Sequence, residues 1–206
     1  MIKLLLTISL LWTNTLNVYC QETGNSPKLK SLIDSLYQVD QQVQQDFLNA
    51  FQRGVSADSI KFYEKREFKT FEGHIPLIRA IVSRYGYPNF EKVGKESSDH
   101  YFVMVQHSDY DVRFQKMMLP LIKRQVEKKE VIGSNFAYLY DRIQINSGKP
   151  QLYGTQLEYD VQGNALSKNL RDRQNVNKRR AEYGMDTLEA YLARNTEIHK
   201  MMNKKN

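Results

Sequence analysis

Two adjacent charged residues, Asp141 and Arg142, lie near the middle of the otherwise mostly apolar segment 136–145. As a helix, this segment would be apolar around most of its circumference, so we expect it to be buried. Neighbouring residues on a helix point about 100° apart and do not face each other. Each charge therefore needs a partner elsewhere, because an isolated buried charge is costly. The candidate partners are His107, Arg179 or Arg180 for Asp141, and a carboxylate, a carbonyl or a ligand for Arg142.

Residues 151–156, Gln-Leu-Tyr-Gly-Thr-Gln, form a second segment with binding potential. Their polar side chains are those of Gln151, Tyr153, Thr155 and Gln156. These side chains offer neutral hydrogen-bond donors and acceptors, and Gly154 would let a ligand or another backbone segment come close. Such groups suit recognition of a polar ligand better than proton transfer. The alternative is an edge strand whose glutamines face water.

The first functional hypothesis is a binding module that holds a small polar or anionic ligand in one cleft lined by Gln, His, Asp and Arg. In this hypothesis, Arg142 and Arg180 supply positive charge and the glutamines set the orientation of the ligand. The residues predicted to bind the ligand are Gln106, Arg142, Gln151, Tyr153, Gly154, Thr155, Gln156, Arg179 and Arg180.

The second hypothesis is a hydrolase without a cofactor. His107 would be the general base and Asp141 would orient it, while Arg142 or Arg180 would stabilise an oxyanion or a phosphate charge. This hypothesis requires His107 and Asp141 to lie within hydrogen-bond reach or one water apart. The third hypothesis is a structural or partner-binding envelope protein, in which the same polar residues form a buried scaffold network.

Composition and motifs exclude several classes of protein. The chain has 206 residues, 41% of them hydrophobic and 11% aromatic, which suits one folded domain and argues against disorder. One cysteine cannot build a disulfide framework or a four-cysteine zinc site. His100 and His107 would lie about 10 Å apart along a helix, too far for one zinc ion to bridge alone. Nucleophile-elbow, zinc-protease and nucleotide-binding motifs are absent, and we predict neither a metal nor a cofactor.

The net charge of +7 is concentrated near the C-terminus. Residues 168–206 contain ten basic and five acidic residues, whereas residues 21–167 carry a net charge of only +1. The densest basic cluster is 178–180. Such a cluster can serve nucleic acid, anionic lipid or a small anionic ligand. We expect no nucleic-acid partner, because the chain lacks RNA-binding strand motifs and zinc-finger spacing and is predicted to be exported.

Hydrophobic periodicity predicts one mainly α domain with a small β-hairpin. Asp109 or Asp111 is expected to cap the fourth helix, and Pro120 is expected to kink or split it. Residues 55–69 read as a solvated, partly helical connector, and 97–99 as a capping cluster before a short buried helix. The predicted helices are 27–52, 71–84, 101–107, 111–129, 135–146, 175–183 and 186–202, and the predicted hairpin pairs 151–161 with 165–170.

A series of motifs appears along the chain in a fixed order. The motifs are Tyr85-Gly86-Tyr87-Pro88, Gln106-His107-Ser108-Asp109, Leu119-Pro120-Leu121, Asp141-Arg142, Gly148-Lys149-Pro150-Gln151-Leu152-Tyr153-Gly154-Thr155-Gln156 and Arg179-Arg180-Ala181-Glu182-Tyr183-Gly184. This series closely resembles an uncharacterised bacterial family, a domain of unknown function. The resemblance covers about residues 30–195 and implies a single domain, but it implies no reaction.

The N-terminus has the features of a secretory signal peptide over residues 1–20. The apolar run Leu4–Trp12 is too short to span a bilayer but suits the hydrophobic region of a signal. Val18 and Cys20 form an acceptable cleavage pattern before Gln21. In the alternative, Cys20 is retained and lipidated, which the bulky Tyr19 disfavours. We therefore expect an exported, periplasmic protein whose mature chain has no cysteine and no transmembrane segment.

Expression of the full chain in a bacterial host tests this signal. We expect a mature protein that begins at Gln21, because cleavage after Cys20 follows the small-residue pattern. Mass spectrometry of the periplasmic fraction gives the N-terminus. Cys20→Ser serves as the control and should leave the processed mass unchanged. Recovery of the protein in the membrane fraction with a lipid on Cys20 would refute cleavage at this position.

Overall fold

The computed structural model describes residues 26–203, so the predicted signal peptide lies outside the described residues. Helix α1 spans Pro27–Gln52, as predicted. It begins at Ser26, whose hydroxyl accepts a hydrogen bond from the backbone N–H of Leu29. Pro27 occupies the first turn, where its missing N–H costs nothing.

Helix α2 spans Ala57–Tyr85 as one continuous element. The predicted connector 55–69 and the predicted helix 71–84 are therefore a single helix, and the separation of the two is wrong. The charged residues of its first half suit a helix that packs through one face and exposes the other. The helix ends at Gly86, in agreement with the predicted stop.

Helix α3 spans Phe90–Gln106, starts earlier than predicted and is kinked at Gly94, where the backbone is not helical. Asn89 caps it, whereas Ser97 and Ser98 are buried inside the helix. Helix α4 spans Val112–Glu127 and begins at Asp111, whose carboxylate accepts the N–H of Phe114. It continues through Pro120 as one element, so the predicted split is not found.

The remaining elements lie on either side of the segment 151–156 in the chain. Helix α5 spans Ser134–Asn146, close to the predicted bounds. The strands β1, Leu157–Tyr159, and β2, Ala165–Ser167, form an antiparallel hairpin with Leu157 opposite Ser167. Most of the predicted strand 151–161 is not strand, because the backbone of 152–155 bonds elsewhere. The last two helices of the described residues are α6, Val176–Glu182, and α7, Leu188–Asn203.

The predicted fold class, mainly α with one small β-hairpin, is confirmed. The core is built around α3, whose apolar side chains are almost completely buried between α1, α2, α4 and α5. A smaller cluster of Val176, Leu188 and Tyr191 packs the C-terminal helices against the hairpin side. Within residues 26–203, no helix is both long enough and apolar enough to cross a bilayer.

Two glycines with similar backbone angles allow the packing at Gly154 to be tested. Gly154 has φ +73° and Gly148 has φ +70°, so an alanine is strained at both, by about 1 kcal/mol. A Cβ at Gly154 would lie 2.7 Å from Leu188 Cδ1 and 2.9 Å from Ser167 Oγ. A Cβ at Gly148 would have no atom of a described neighbouring residue within 4 Å. We expect Gly154→Ala to lower the free energy of unfolding by about 1–3 kcal/mol more than Gly148→Ala. Urea unfolding measures both variants, and equal losses would contradict the close approach.

Candidate functional site

The segment 151–156 folds around the carboxylate of Asp141 on α5. Asp141 is completely buried. Its oxygens accept the backbone N–H groups of Leu152 at 2.8 Å, Tyr153 at 3.1 Å and Thr155 at 3.0 Å. The hydroxyl of Thr155 donates a further hydrogen bond at 3.0 Å. These N–H groups are used by a side chain, which explains why this part of the predicted strand does not pair in a sheet.

Burial and hydrogen bonding act on Asp141 in opposite directions. Burial raises the pKa of Asp141 above its ordinary value, and the hydrogen bonds donated by Thr155, Leu152 and Tyr153 counteract that rise. The three backbone N–H groups can only donate, so they favour the ionised form of Asp141 against the effect of burial.

Arg179 and Arg180 contact the same segment through its carbonyl oxygens. Arg179 Nε donates to the carbonyl of Leu152 at 2.9 Å, and Arg180 Nη1 donates to the carbonyl of Tyr153 at 2.7 Å. The predicted direct pairing of Asp141 with either arginine is therefore wrong. The peptide group between Leu152 and Tyr153 lies between the opposite charges. Its N–H, from Tyr153, donates to Asp141, and its carbonyl, from Leu152, accepts from Arg179.

The guanidinium of Arg180 is completely buried, and each of its three nitrogens donates a hydrogen bond within the protein. Two of these bonds reach Asp186, one to its carbonyl at 2.7 Å and one to its carboxylate at 3.0 Å. The guanidinium also lies over the ring of Tyr191, 4.8 Å from its centroid. Arg180 therefore acts as a buried structural cation in this geometry, with a hydrogen bond at each of its three nitrogens.

The two glutamines of the segment close it into a turn. Gln151 is fully buried, and its side chain accepts the N–H of Gln156 at 2.9 Å and donates to the carbonyl of Gln156 at 2.8 Å. It also donates to the carbonyl of Lys168. The amide of Gln156 donates to Thr155 Oγ1 at 3.2 Å, and the hydroxyl of Tyr191 donates to the carbonyl of Thr155. We call Asp141, residues 151–156, Arg179 and Arg180 the Asp141 network.

Arg142 points away from this network, toward the turn that follows α3. Its Nη1 donates to the carbonyl of Gln106 at 3.2 Å, and its Nε lies 3.6 Å from Asp109 Oδ1. A carbonyl and a carboxylate are two of the three predicted kinds of partner. Gln115 also donates to both groups, and Asn146 donates to Asp109 at 2.9 Å. Residues from α4 and α5 thus hold the turn 106–109 in place.

His107 pairs with an aspartate, but that aspartate is Asp40 of α1 and not Asp141. The Nδ1 atom of His107 lies 2.8 Å from Asp40 Oδ1. The ring stacks on Phe71 of α2, with 4.5 Å between ring centroids, and its Nε2 lies 3.4 Å from the side-chain amide of Gln44. The structure therefore separates the predicted site residues, placing His107 at the α1–α2–α3 junction while Asp141 belongs to its own network.

The electrostatics of this pair favour the ionised form of the Asp40 carboxylate. Burial alone would raise the pKa of Asp40, but the hydrogen bond from His107 and the nearby His74 outweigh that effect, so the pKa lies below its ordinary value. An ionised Asp40 requires Nδ1 of His107 to carry the hydrogen. In the neutral ring, Nε2 is then the proton acceptor.

Asp40 was not among the predicted site residues, although the sequence contains a signal for it. It occupies a position in the apolar stripe of α1 and is 1% exposed. A charged residue in such a stripe needs a buried partner, by the same argument that singles out Asp141. The stripe runs through Leu29, Ile33, Leu36, Asp40, Val43 and Phe47.

A second aspartate–histidine pair links α1 to α3 on the same side of the protein. His100 Nδ1 lies 2.8 Å from Asp34 Oδ1, and its ring stacks on Tyr37. Ser97 and Lys30 also donate to Asp34, at 2.6 and 2.7 Å. Burial would raise the pKa of Asp34, but Lys30, Ser97 and His100 lower it to about 2. Over residues 26–203, no three His, Cys, Asp or Glu side chains are grouped so as to hold a metal ion.

The Asp141 network predicts a large effect of Asp141→Asn. The amide would place a donor against backbone N–H groups and would remove the charge that they stabilise, so the free energy of unfolding should fall by about 2–4 kcal/mol. Thermal or urea unfolding measures this loss. Asp172→Asn is the matched control, because Asp172 pairs with Arg179 but is exposed, and it should cost less than about 1 kcal/mol. Equal unfolding midpoints for the two variants would refute the central role of Asp141.

Comparison with known proteins places the chain in one family. Neither a curated protein nor a solved structure matches the chain. A family model described as "Family of unknown function (DUF6624)" matches residues 27–202, nearly all of the residues that the structure describes. The chain therefore belongs to this family of unknown function.

Proposed function

We propose that this protein is an acid–base enzyme of the hydrolase class, in which His107 is the general base and Asp40 orients it. The observation that carries the proposal is the 2.8 Å contact between His107 Nδ1 and the buried Asp40 carboxylate. The His107 side chain itself is 14% exposed, so the ring lies at the edge of the protein interior. An oriented and partly accessible histidine is the minimum that general base catalysis requires.

In the proposed reaction, His107 first accepts one proton and then donates it. Nε2 of His107 takes a proton from a water molecule while the water oxygen attacks the substrate carbonyl or phosphorus atom. The imidazolium, stabilised by Asp40, then returns the proton to the leaving group as its bond breaks. The amide of Gln44, 3.4 Å from Nε2, occupies the position that the attacking water would take and must move or share it.

The charge balance around Asp40 distinguishes this pair from the Asp34–His100 pair. Lys30 forms a 2.7 Å salt bridge with Asp34, so a permanent cation already neutralises that carboxylate. In the described part of the chain, Asp40 has no lysine or arginine nitrogen within 4.0 Å, and its ion-pair contacts are with His107 and His74. Histidines gain and lose protons near neutral pH, so this carboxylate is balanced by groups that can take part in proton transfer.

The contacts of the other predicted residues favour this proposal over the binding module. Gln151, Thr155 and Arg180 are buried and bonded within the Asp141 network, which is the arrangement that the scaffold hypothesis requires. Arg142 differs, because it bonds the carbonyl of Gln106, the neighbour of His107, and keeps 26% of its side chain exposed. We assign to Arg142 the stabilisation of negative charge on the substrate. The predicted export would place this chemistry in the periplasm.

Hydrolysis of chromogenic probes tests the proposal. We expect the wild-type protein to hydrolyse p-nitrophenyl acetate or p-nitrophenyl phosphate, and His107→Gln to lower kcat/KM by about 10²–10⁴, the usual contribution of a general base. Asp40→Asn should give a loss of similar order, because the ring loses its orienting carboxylate. Stopped assays over pH 5–9 measure the rates.

His100→Gln is the matched control, since His100 forms the same kind of pair with Asp34 between the same two helices. It should retain kcat/KM within about threefold, and circular dichroism should show that all variants are folded. Equal losses in His100→Gln and His107→Gln would assign the effect to stability. The proposal fails if the wild type turns over neither probe, or if His107→Gln is fully active.

A further inference from the structure

A second histidine lies on the other side of Asp40. Nδ1 of His74, on α2, is 3.9 Å from Asp40 Oδ2. His74 is 8% exposed and Asp40 is 1% exposed, so both groups are buried. Within residues 26–203, neither of these two atoms has a hydrogen-bond partner. By contrast, Asp40 Oδ1 accepts hydrogen bonds from both His107 and Gln41.

Asp40 Oδ2 and His74 Nδ1 could form a hydrogen bond with each other. A buried polar atom without a partner costs about 1–3 kcal/mol, so the protein gains if the two atoms meet. Their separation exceeds an ordinary N–H···O distance by about 1 Å, which a small rotation of either side chain would close. If Nδ1 of His74 carries a hydrogen, Asp40 receives one histidine at each carboxylate oxygen.

We infer that His74 is a positioning residue that shares the Asp40 carboxylate with His107, so that proton binding by either histidine opposes proton binding by the other. An imidazolium at His74 would neutralise Asp40 and place a like charge near His107. Two sites coupled in this way titrate as a pair. Among residues 26–203, Tyr37 of α1 and Glu67 of α2 are the other ionisable groups with electrostatic coupling to Asp40 or His107.

This coupling has a consequence for catalysis that rests on the proposed role of His107, although the coupling itself does not. Acidification protonates histidines and removes a general base. A proton bound by His74 opposes the binding of a proton by His107. His107 therefore stays neutral at a lower pH than it would if it were the only histidine beside Asp40. His74 therefore extends the acid range over which His107 can accept a proton.

An NMR titration of the histidine ring signals tests the coupling without a substrate. The chain has four histidines, and single substitutions assign each signal. In His74→Leu, which removes both the donor and the charge, we expect the titration midpoint of His107 to move up by about 1 pH unit. In His74→Asn, whose amide can donate near the position of Nδ1 but cannot become charged, the midpoint should move up by less. The midpoint of His100, which pairs with Asp34, should not change.

An unchanged His107 midpoint in a folded His74→Leu protein would overturn the inference. Should His74→Leu fail to fold, His107→Gln gives the reciprocal measurement on a more exposed residue. Because coupling is mutual, the His74 midpoint should then rise by a comparable amount, and no rise would equally overturn the inference. A coupled pair with an active His107→Gln enzyme would refute the proposed function alone, whereas uncoupled histidines with an inactive His107→Gln enzyme would refute this inference alone.

Discussion

The peptide group between Leu152 and Tyr153 is the contact on which the C-terminal half of the structure depends. Its N–H donates to the buried carboxylate of Asp141, and its carbonyl accepts from Arg179. The Asp141 carboxylate cannot stay in the interior without such partners, because transfer of an unpaired ion from water is very costly. The backbone therefore satisfies the acid on one side and the base on the other, and it ties α5 to α6 through a segment with little regular structure.

Helix α5 connects this network to the candidate site. Asp141 and Arg142 are adjacent in sequence and point in different directions, so one helix contacts two regions. Asp141 organises the segment 151–156, and Arg142 holds the turn that carries His107. Helix α5 thus contacts both the Asp141 network and the turn that carries the proposed general base, although the two regions use different side chains.

The sequence predicts which kinds of element occur better than it predicts where each element begins and ends. The bounds of α1 and α5 follow from apolar periodicity that continues past the charged residues Asp40 and Asp141, and the sequence predicts these bounds closely. The sequence wrongly predicts a connector for the charged first half of α2. A helix that packs through only one face can contain as many charged residues as a loop, so its composition does not distinguish the two. The alternating residues 151–161 resemble a strand, but a strand needs free N–H groups, and three of them belong to Asp141. The hydrophobic pattern of a segment does not show whether its N–H groups bond to a neighbouring strand or to a distant side chain.

The sequence alone determined the family, the mainly helical class and the fact that Asp141 and Arg142 need partners, because these depend on local patterns and on the cost of burying charge. Only the tertiary structure decided which partners they have. It placed peptide groups around Asp141, and it brought Asp40 to His107 across 67 residues of chain. Local spacing contains no record of which helices pack together, and hydrogen-bond partners at about 3 Å are chosen by that packing.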